Sequence, residues 1–133
     1  MPGSTFPSAL EALSFRFDEI VRLLSRRIDA ALADYDLSRT QWRLLAYVLR
    51  QEGITQSELA RVLELERASV GNTVDIMERK GLVMRVANPD DRRVWQIAAT
   101  PRAHDLLPGL RERIDDMLDR GWGRIINISS MNG

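Results

Sequence analysis

The stretch "TQSELARVLELERASVGNTVDIMERKGLV" at residues 55–83 decides the fold. Thr55 and Glu58 have the spacing of a capping box, in which a Ser or Thr side chain caps a helix and the residue three positions later bonds back. This spacing predicts a short helix over residues 56–62. Beyond "ELE", a second helix is predicted over residues 67–80, ended by a glycine. Two short helices joined by a tight turn are typical of a helix-turn-helix.

The residues after this helix pair predict a β-hairpin. The flanks "LVMRVA" and "RVWQIA" are rich in β-branched and aromatic residues, and they surround a turn-forming centre at Asn88 and Pro89. This pattern predicts two strands whose tip is formed by residues 88–92. A hairpin directly after the second helix of the pair makes the motif a winged one.

A long helix is predicted before the winged motif, at residues 8–34, because apolar residues recur there at intervals of three and four. The members of this stripe are Leu10, Leu13, Phe17, Ile20, Leu24, Ile28 and Ala31. Such a stripe is either core within one chain or a seam between two chains, and the sequence leaves both open. A capping box at Ser38 and Gln41 then predicts a further helix that begins near residue 39 and ends before Gly53.

A second long helix is predicted after the hairpin, with Thr100 as its N-cap and Pro101 in its first position. Its apolar stripe consists of Leu107, Leu110, Ile114, Leu118, Trp122 and Ile125. Pro108 and Gly109 are expected to bend it near the start. After Trp122 the pattern weakens, and "NISSMNG" predicts a frayed end.

Composition indicates a single globular domain. The 133 residues are 44% apolar and 29% charged, which is typical of a folded chain. No apolar run is long enough to span a membrane, and the N-terminus has no signal-peptide pattern, so a cytoplasmic protein is expected. The net charge is zero, with 19 Lys+Arg against 19 Asp+Glu, and the balance alone does not indicate a nucleic-acid partner.

The chemistry-bearing residues argue against an enzyme or a metal protein. There is no cysteine and one histidine, His104, so a typical transition-metal site cannot be assembled. No nucleophile motif, phosphate-binding glycine loop or pair of catalytic carboxylates is present. We therefore expect no catalytic site and no cofactor, and His104 is interpreted as a surface or interface residue.

The order of these motifs resembles the MarR family of bacterial winged-helix transcription regulators. The segments that carry the resemblance are "TQW", the stretch 55–83, "NPDDRR" and "ATPRAHDLL", and the match covers about residues 8–125. Within the family, the SlyA-like branch is the most similar. The resemblance implies a mainly α-helical fold with a small β-hairpin wing, a homodimer, and a short near-palindromic operator. It also implies release from the DNA by small aromatic acids, as is frequent in the family.

The resemblance also implies a division of the chain. Residues 1–35 and 100–133 would form a helical dimerisation region, and residues 36–99 the winged helix-turn-helix that binds double-stranded DNA. The expected function is that of a transcriptional repressor. Family members usually continue with a further helix that packs across the dimer, whereas this sequence stops at "ISSMNG", which leaves the dimer strength open.

Base-reading residues are predicted from a helical wheel of residues 67–80. Val70, Val74 and Met77 form its core face, and the opposite face consists of Ala68, Gly71, Asn72, Asp75 and Arg79. The carboxamide of Asn72 can bond both N6 and N7 of adenine, and Ala68 could touch a thymine methyl group. Gly71 would let the backbone approach DNA closely, while Asp75 is interpreted as a surface residue.

Phosphate contacts are predicted from residues near the two helix starts. Arg67 and Ser69 on the second helix and Thr55 and Ser57 on the first are placed for such contacts, which fix register but carry little sequence information. Exposed Asn and Arg residues on a helix are more often only solvated, and it is the motif context that reverses this interpretation for Asn72 and Arg67.

The wing tip places two aspartates against two arginines. We expect Asp91 to hold the guanidinium of Arg93 in a bidentate pair, which would order it before it enters a minor groove with concentrated negative potential. The matching Asp and Arg play these parts in the family. Arg92 is expected to meet a phosphate, and Asp90 to be a turn residue. The alternative is a surface salt bridge with no further role.

Two alternatives complete the expectations. Trp42 and Arg22 lie on helices that border a pocket in the family. An aromatic wall beside an arginine suits a small aromatic carboxylate. Equally, Trp42 could be core and Arg22 solvent-facing.

The near-neutral charge leaves open a winged-helix module for protein interaction with no DNA role. Steep loss of DNA affinity with rising salt would distinguish a DNA reader from such a module.

Overall fold

The computed structural model describes residues 8–131, and the side chains of residues 8–120. The fold is mainly helical with a two-stranded antiparallel wing, as predicted. The elements are α1 (Ala9–Ala33), α2 (Arg39–Arg50), α3 (Gln56–Leu63), α4 (Arg67–Arg79), β1 (Val83–Ala87), β2 (Trp95–Ala99) and α5 (Pro101–Met131).

The helices begin where side chains cap them. The predicted capping boxes before α2 and α3 are both present, with Ser38 paired to Gln41 and Thr55 to Glu58. A third box, formed by Ser8 with a glutamate, starts α1. Thr100 caps α5, because its Oγ1 accepts a hydrogen bond from the backbone N–H three residues later at 3.3 Å. These local bonds satisfy N–H groups that have no partner inside a helix.

The turn of the helix-turn-helix is closed by backbone geometry. Glu64 ends α3 in the left-handed conformation, with φ 55°. The N–H of Leu65 then bonds to the carbonyl of Ala60 at 3.0 Å, as in a Schellman motif. This reversal folds α4 back against α3 within three residues.

The wing pairs Val83 with Ala99 at its base and Ala87 with Trp95 at its end. A backbone bond from Ile97 N–H to Ile54 O, 2.9 Å long, joins β2 to the segment before α3. The tip is longer than predicted and covers residues 88–94, because Arg93 and Val94 belong to the turn and not to β2. Its closing bond runs from Asn88 N–H to Val94 O at 3.1 Å.

One core holds the winged lobe together, and the ends of both long helices join it. Its fully or nearly fully buried residues are Leu32, Leu37, Leu44, Leu45, Val48, Ile54, Leu59, Ala60, Leu63, Val70, Val74, Met77, Leu82, Val83, Ile97, Ala103 and Leu110. The predicted core face of α4 is therefore confirmed. No helix in the described part of the chain is long and apolar enough to cross a membrane.

The first half of α1 lies outside this core. Leu10, Leu13 and Phe17 of the predicted stripe are 77%, 50% and 60% exposed, and Phe15 and Val21 are also exposed. Only the last part of the stripe enters the core, at Ala31 and its neighbour Leu32. Within one chain, therefore, the N-terminal part of the stripe is not core.

The last helix differs from the prediction at its C-terminal end. α5 continues to Met131, so the frayed end predicted for "NISSMNG" is wrong over residues 127–131. The side chains of Trp122 and Ile125 lie outside the described residues. Near the start, Gly109 lets α5 pass close to the end of α1, since a Cβ there would lie 2.8 Å from the Tyr35 hydroxyl.

Candidate nucleic-acid interface

Helix α4 presents an open polar face opposite its core face. Val70, Val74 and Met77 are fully buried, whereas Ala68, Ser69 and Asn72 are exposed on the other side. Among the described residues, no hydrogen bond engages the Asn72 carboxamide. Both its donor and its acceptor are therefore open to a ligand, as base reading would require.

The N-terminus of α4 is left uncapped by side chains. Glu66 occupies the N-cap position without a side-chain hydrogen bond, whereas α1, α2 and α3 each carry a capping box. No side chain caps the N–H groups of the first turn of α4, and such uncapped groups bind phosphate oxygens well. Beside them lies an open depression of about 540 Å³, whose lining includes Ser57, Arg61 and Arg67.

This depression brings together two of the residues predicted to contact phosphate, Ser57 and Arg67. It also contains Arg61, which the helical patterns did not single out. Arg61 lies in the last turn of α3, and its sequence signal is only its charge and its position before the turn. The depression presents two guanidinium groups and one hydroxyl, and the carboxylates of Glu58 and Glu66 line it as well.

Thr55 is placed differently from Ser57. Its hydroxyl donates to Glu58 Oε1 at 2.9 Å and accepts from Glu58 N–H at 3.1 Å. Hydrogen bonds from Thr55 and Gln51 lower the pKa of the Glu58 carboxyl, because they favour its charged form. Both hydrogen-bonding functions of the Thr55 hydroxyl are thus used within the capping box. These bonds compete with a contact between Thr55 and phosphate, which stays a prediction.

Gly71 is half-buried and lies toward α3 instead of on the open face. A Cβ at this position would lie 3.4 Å from Gln56 Nε2, and the Gly71 carbonyl accepts a bond from Arg85 at 3.3 Å. Its absent side chain thus serves the contact between α3 and α4. Close approach of DNA at Gly71 remains a prediction that this placement does not favour.

The wing tip confirms a contact between Asp91 and Arg93, but not the bidentate geometry. One oxygen, Asp91 Oδ1, accepts from Arg93 Nε at 3.2 Å and from the Arg93 backbone N–H at 3.0 Å. Because the residues are only two apart, the carboxylate reaches the near side of the guanidinium. Arg93 is 91% exposed, with its terminal nitrogens outward. Arg92 is exposed beside it, and Asp90 donates its N–H to the Asn88 side chain, which confirms a turn.

Two basic residues close to the candidate interface are engaged inside the protein. Arg85 on β1 pairs with Asp75 and Glu78 of α4. Lys80 bonds to Asp36 and Gln41, and its side chain is only 24% exposed. Asp75 is thus neutralised by Arg85. The exposed cations near the interface are Arg61, Arg67, Arg79, Arg92 and Arg93.

The expected ligand pair does not come together. Arg22 is exposed on α1 and pairs with Asp18. Trp42 instead lines an indentation of about 360 Å³ between α2 and α5, where its charged neighbours are Arg50, Arg111 and Asp115. These two arginines could not be found from the sequence, because only the packing of α5 on α2 brings them together. Across the described residues, no group of three His, Asp or Glu side chains could hold a metal.

The fold and this face define a winged helix-turn-helix protein. Several solved structures share the fold. A mutant of MarR from E. coli is 18% identical with a TM-score of 0.78, covering 98% of this chain and 94% of its own. A MarR-family regulator from Rhodococcus sp. RHA1 is 23% identical with a TM-score of 0.75, covering 96% and 93%. MepR from S. aureus, in a complex with DNA, is 24% identical with a TM-score of 0.65, covering 90% and 99%.

Residues 35–94 match the model of the MarR family. This segment holds the helix-turn-helix and the first strand and tip of the wing. A Bacillus subtilis relative, the uncharacterized HTH-type transcriptional regulator YhbI, is 35% identical over 81 residues, which are 60% of this chain and 52% of the relative. The chain thus matches about half the length of this relative. The matches are to regulators and not to enzymes, as expected from the sequence.

Proposed function

We propose that this protein is a bacterial, cytoplasmic transcriptional regulator that binds double-stranded DNA in a sequence-specific manner, in the role of a repressor. The observation that carries the proposal is the open face of α4, with an unengaged Asn72 and an uncapped N-terminus, on a MarR-family winged domain. The structural relative MepR is known in a complex with DNA. Assignment to the SlyA-like branch rests on the quoted motifs alone.

The parts of the surface have different tasks in this proposal. Asn72 and Ala68 read base edges in the major groove, where the N-terminal part of a recognition helix is nearest the bases. Ser57, Arg67 and Ser69 hold phosphates and fix the register. Arg93 enters the minor groove from the wing tip, and Arg92 meets the backbone beside it.

A homodimer on a near-palindromic operator is part of the same proposal. The exposed apolar half of α1 would be buried between two protomers, as would be expected of a seam. Two recognition helices would then be spaced about 34 to 36 Å apart, one turn of B-DNA. The indentation at Trp42, with Arg50 and Arg111 at its edge, would receive a small aromatic carboxylate that releases the DNA.

The proposal is tested first by selecting bound fragments from random duplexes. We expect an inverted repeat with half-sites one helical turn apart. On the recovered duplex, Arg93→Ala should weaken binding in a gel-shift titration roughly 10-fold. Arg102→Ala, at an exposed arginine outside the candidate interface, is the matched control and should have little effect. Equal effects of the two substitutions would remove the wing from the mechanism.

The base-reading role of Asn72 has a separate readout. Asn72→Ala should cost about 1 to 3 kcal/mol of discrimination at one base pair of each half-site. The measurement compares affinities for the selected duplex and for duplexes substituted one pair at a time. If Asn72→Ala lowered affinity for all sequences uniformly, the residue would be a backbone contact.

The zero net charge favours the alternative of a winged-helix module for protein interaction. The two functions differ in their dependence on salt. A DNA reader that contacts several phosphates loses affinity steeply between about 50 and 200 mM salt. A protein adaptor would form no specific complex with any duplex at either concentration, and this result would contradict the DNA-binding proposal.

A further inference from the structure

Arg85 lies in the middle of β1, on the side of the wing that faces the helices. It is paired across the sheet with Ile97, which is buried, and two residues from Val83, which is also buried. A charged residue at such an inward position is unusual, because burial of an unpaired charge is costly. The side chain is only 20% exposed, so its guanidinium needs partners within the protein.

The guanidinium finds these partners on both helices of the helix-turn-helix. Nη1 donates to Asp75 at 2.8 Å and also to Glu78. Nη2 donates to the Gly71 carbonyl at 3.3 Å, and Nε to Gln56 Oε1 at 3.3 Å. All three nitrogens are therefore used, and the bonds join β1 to α4 and α3. The planar fork of arginine makes this possible, whereas a lysine would offer one point charge.

The other ion pairs of the described residues differ from this one. Two of them link neighbouring turns of one helix, Asp18 with Arg22 in α1 and Asp116 with Arg120 in α5, and their side chains are more than half exposed. Pairs of that kind contribute little to stability. The Arg85 cluster crosses between elements, as the pairs Asp29–Arg39, Asp34–Arg113 and Asp36–Lys80 also do. It differs in that one partly shielded guanidinium binds two carboxylates, and charge-assisted bonds are stronger where solvent is partly excluded.

We propose that Arg85 is a positioning residue for DNA binding. It fixes the wing against α4, so that the recognition helix and the wing tip engage the two adjacent grooves as one rigid unit. The inference rests on the proposed function, because it assigns Arg85 no contact with DNA. It predicts that Arg93 at the tip contributes its full binding only while Arg85 holds the wing in place, since ordering a mobile wing on DNA would cost conformational entropy.

A double-mutant cycle on the selected duplex tests this coupling. Arg93→Ala should lower affinity roughly 10-fold in the wild-type chain, but no more than about 2-fold in an Arg85→Gln background. Arg43→Gln, at an exposed arginine of α2, is the matched control and should leave the effect of Arg93→Ala at about 10-fold. Circular dichroism measures the folded fraction of each variant, so that a general loss of stability can be distinguished from a loss of coupling. An equal effect of Arg93→Ala in all backgrounds overturns the proposal.

Hydrogen exchange tests the same proposal without DNA. In Arg85→Gln, the amides of residues 84–96 should exchange about 10-fold faster, while those of α2 should be unchanged. The double variant Asp75→Asn/Glu78→Gln removes the partners instead and should do the same, which covers the case that Arg85→Gln does not fold. Unchanged exchange rates at residues 84–96 would overturn the proposal that Arg85 fixes the wing against α4. If the wild-type chain bound no duplex, the proposed function would fail, whereas exchange would still decide whether Arg85 holds the wing.

Discussion

The winged lobe and the first half of α1 use apolar residues in opposite ways. In the winged lobe, Leu44, Leu59 and Met77 are completely buried within one chain. In α1, large apolar side chains such as Leu13 and Phe17 are at least half exposed. The helices of both regions are amphipathic, although the starts of α2 and α3 were predicted from capping boxes and α1 from its three- and four-residue periodicity. Only the number of neighbouring elements differs.

This difference separates what one chain can stabilise from what requires a partner. The short helices α2, α3 and α4 surround a common centre and close it with the wing. Helix α1 contacts α5 and α2; near its C-terminal end Asp29 binds Arg39 and Leu32 is buried, whereas the large apolar side chains of its first half stay exposed. An exposed stripe of this size on a folded chain indicates an interaction surface. We propose that a second copy of the chain covers it.

The largest effect is expected from a cavity in the winged lobe. Leu59→Ala removes a fully buried side chain from the contact between α3 and the core and should lower the free energy of unfolding by about 2 to 5 kcal/mol. Urea denaturation measures the change. Because the cavity lies within one chain, the loss should be the same at all protein concentrations. A loss that grew on dilution would contradict the division between the two regions.

A smaller effect, of a different kind, is expected from Phe17→Ser on α1. Phe17 is 60% exposed in the single chain, so if a dimer covers the stripe, loss of this part of the side chain from both protomers should weaken association by about 2 to 4 kcal/mol, or roughly 30- to 1000-fold. Sedimentation velocity over a dilution series measures the dissociation constant. Glu19→Ser, on the opposite side of the helix, is the control and should change it little. An unaltered dissociation constant for Phe17→Ser would leave α1 without a role in the dimer.

The sequence predicted the parts of the fold that depend on local chemistry. The capping pairs Ser38–Gln41 and Thr55–Glu58 fixed two helix starts, and the turn residues fixed the position of the wing. Contacts between elements could not be predicted in the same way. The Arg85 cluster joins residues 7, 10, 14 and 29 positions apart, and no periodicity within one element indicates which side chains will meet.

The residues of the candidate site were likewise predictable only where one element alone determines their position. The exposure of Asn72 followed from the core face of α4, which a helical wheel gives directly. Gly71, which the wheel places on the open face, is half-buried next to Gln56, because the wheel does not show that α3 packs beside it. Arg22 was paired with Trp42 by family resemblance, whereas the packing of α5 brings Arg50 and Arg111 there. The sequence patterns therefore did not show which elements pack against each other.

The smallest effect on the free energy of unfolding is expected from Glu58 in the winged lobe, and it should depend on pH. Hydrogen bonds from Thr55 and Gln51 lower the pKa of Glu58 below its usual value of 4.5. A carboxyl whose pKa is lowered by folding stabilises the protein above its unfolded-state pKa, and this stabilisation disappears as the pH falls through the lower folded value. Glu58→Gln should therefore be less stable than the wild type at pH 7, by at most about 1 kcal/mol because solvent screens the group.

The sign of this effect can be checked by urea denaturation at two pH values. At about pH 3, below most of the titration of glutamate, the difference between Glu58→Gln and the wild type should have largely disappeared. In a Thr55→Val background, which removes the hydroxyl that lowers the pKa most, the difference at pH 7 should also shrink. A constant difference at both pH values would mean that the shape of the side chain, and not its charge, holds the cap.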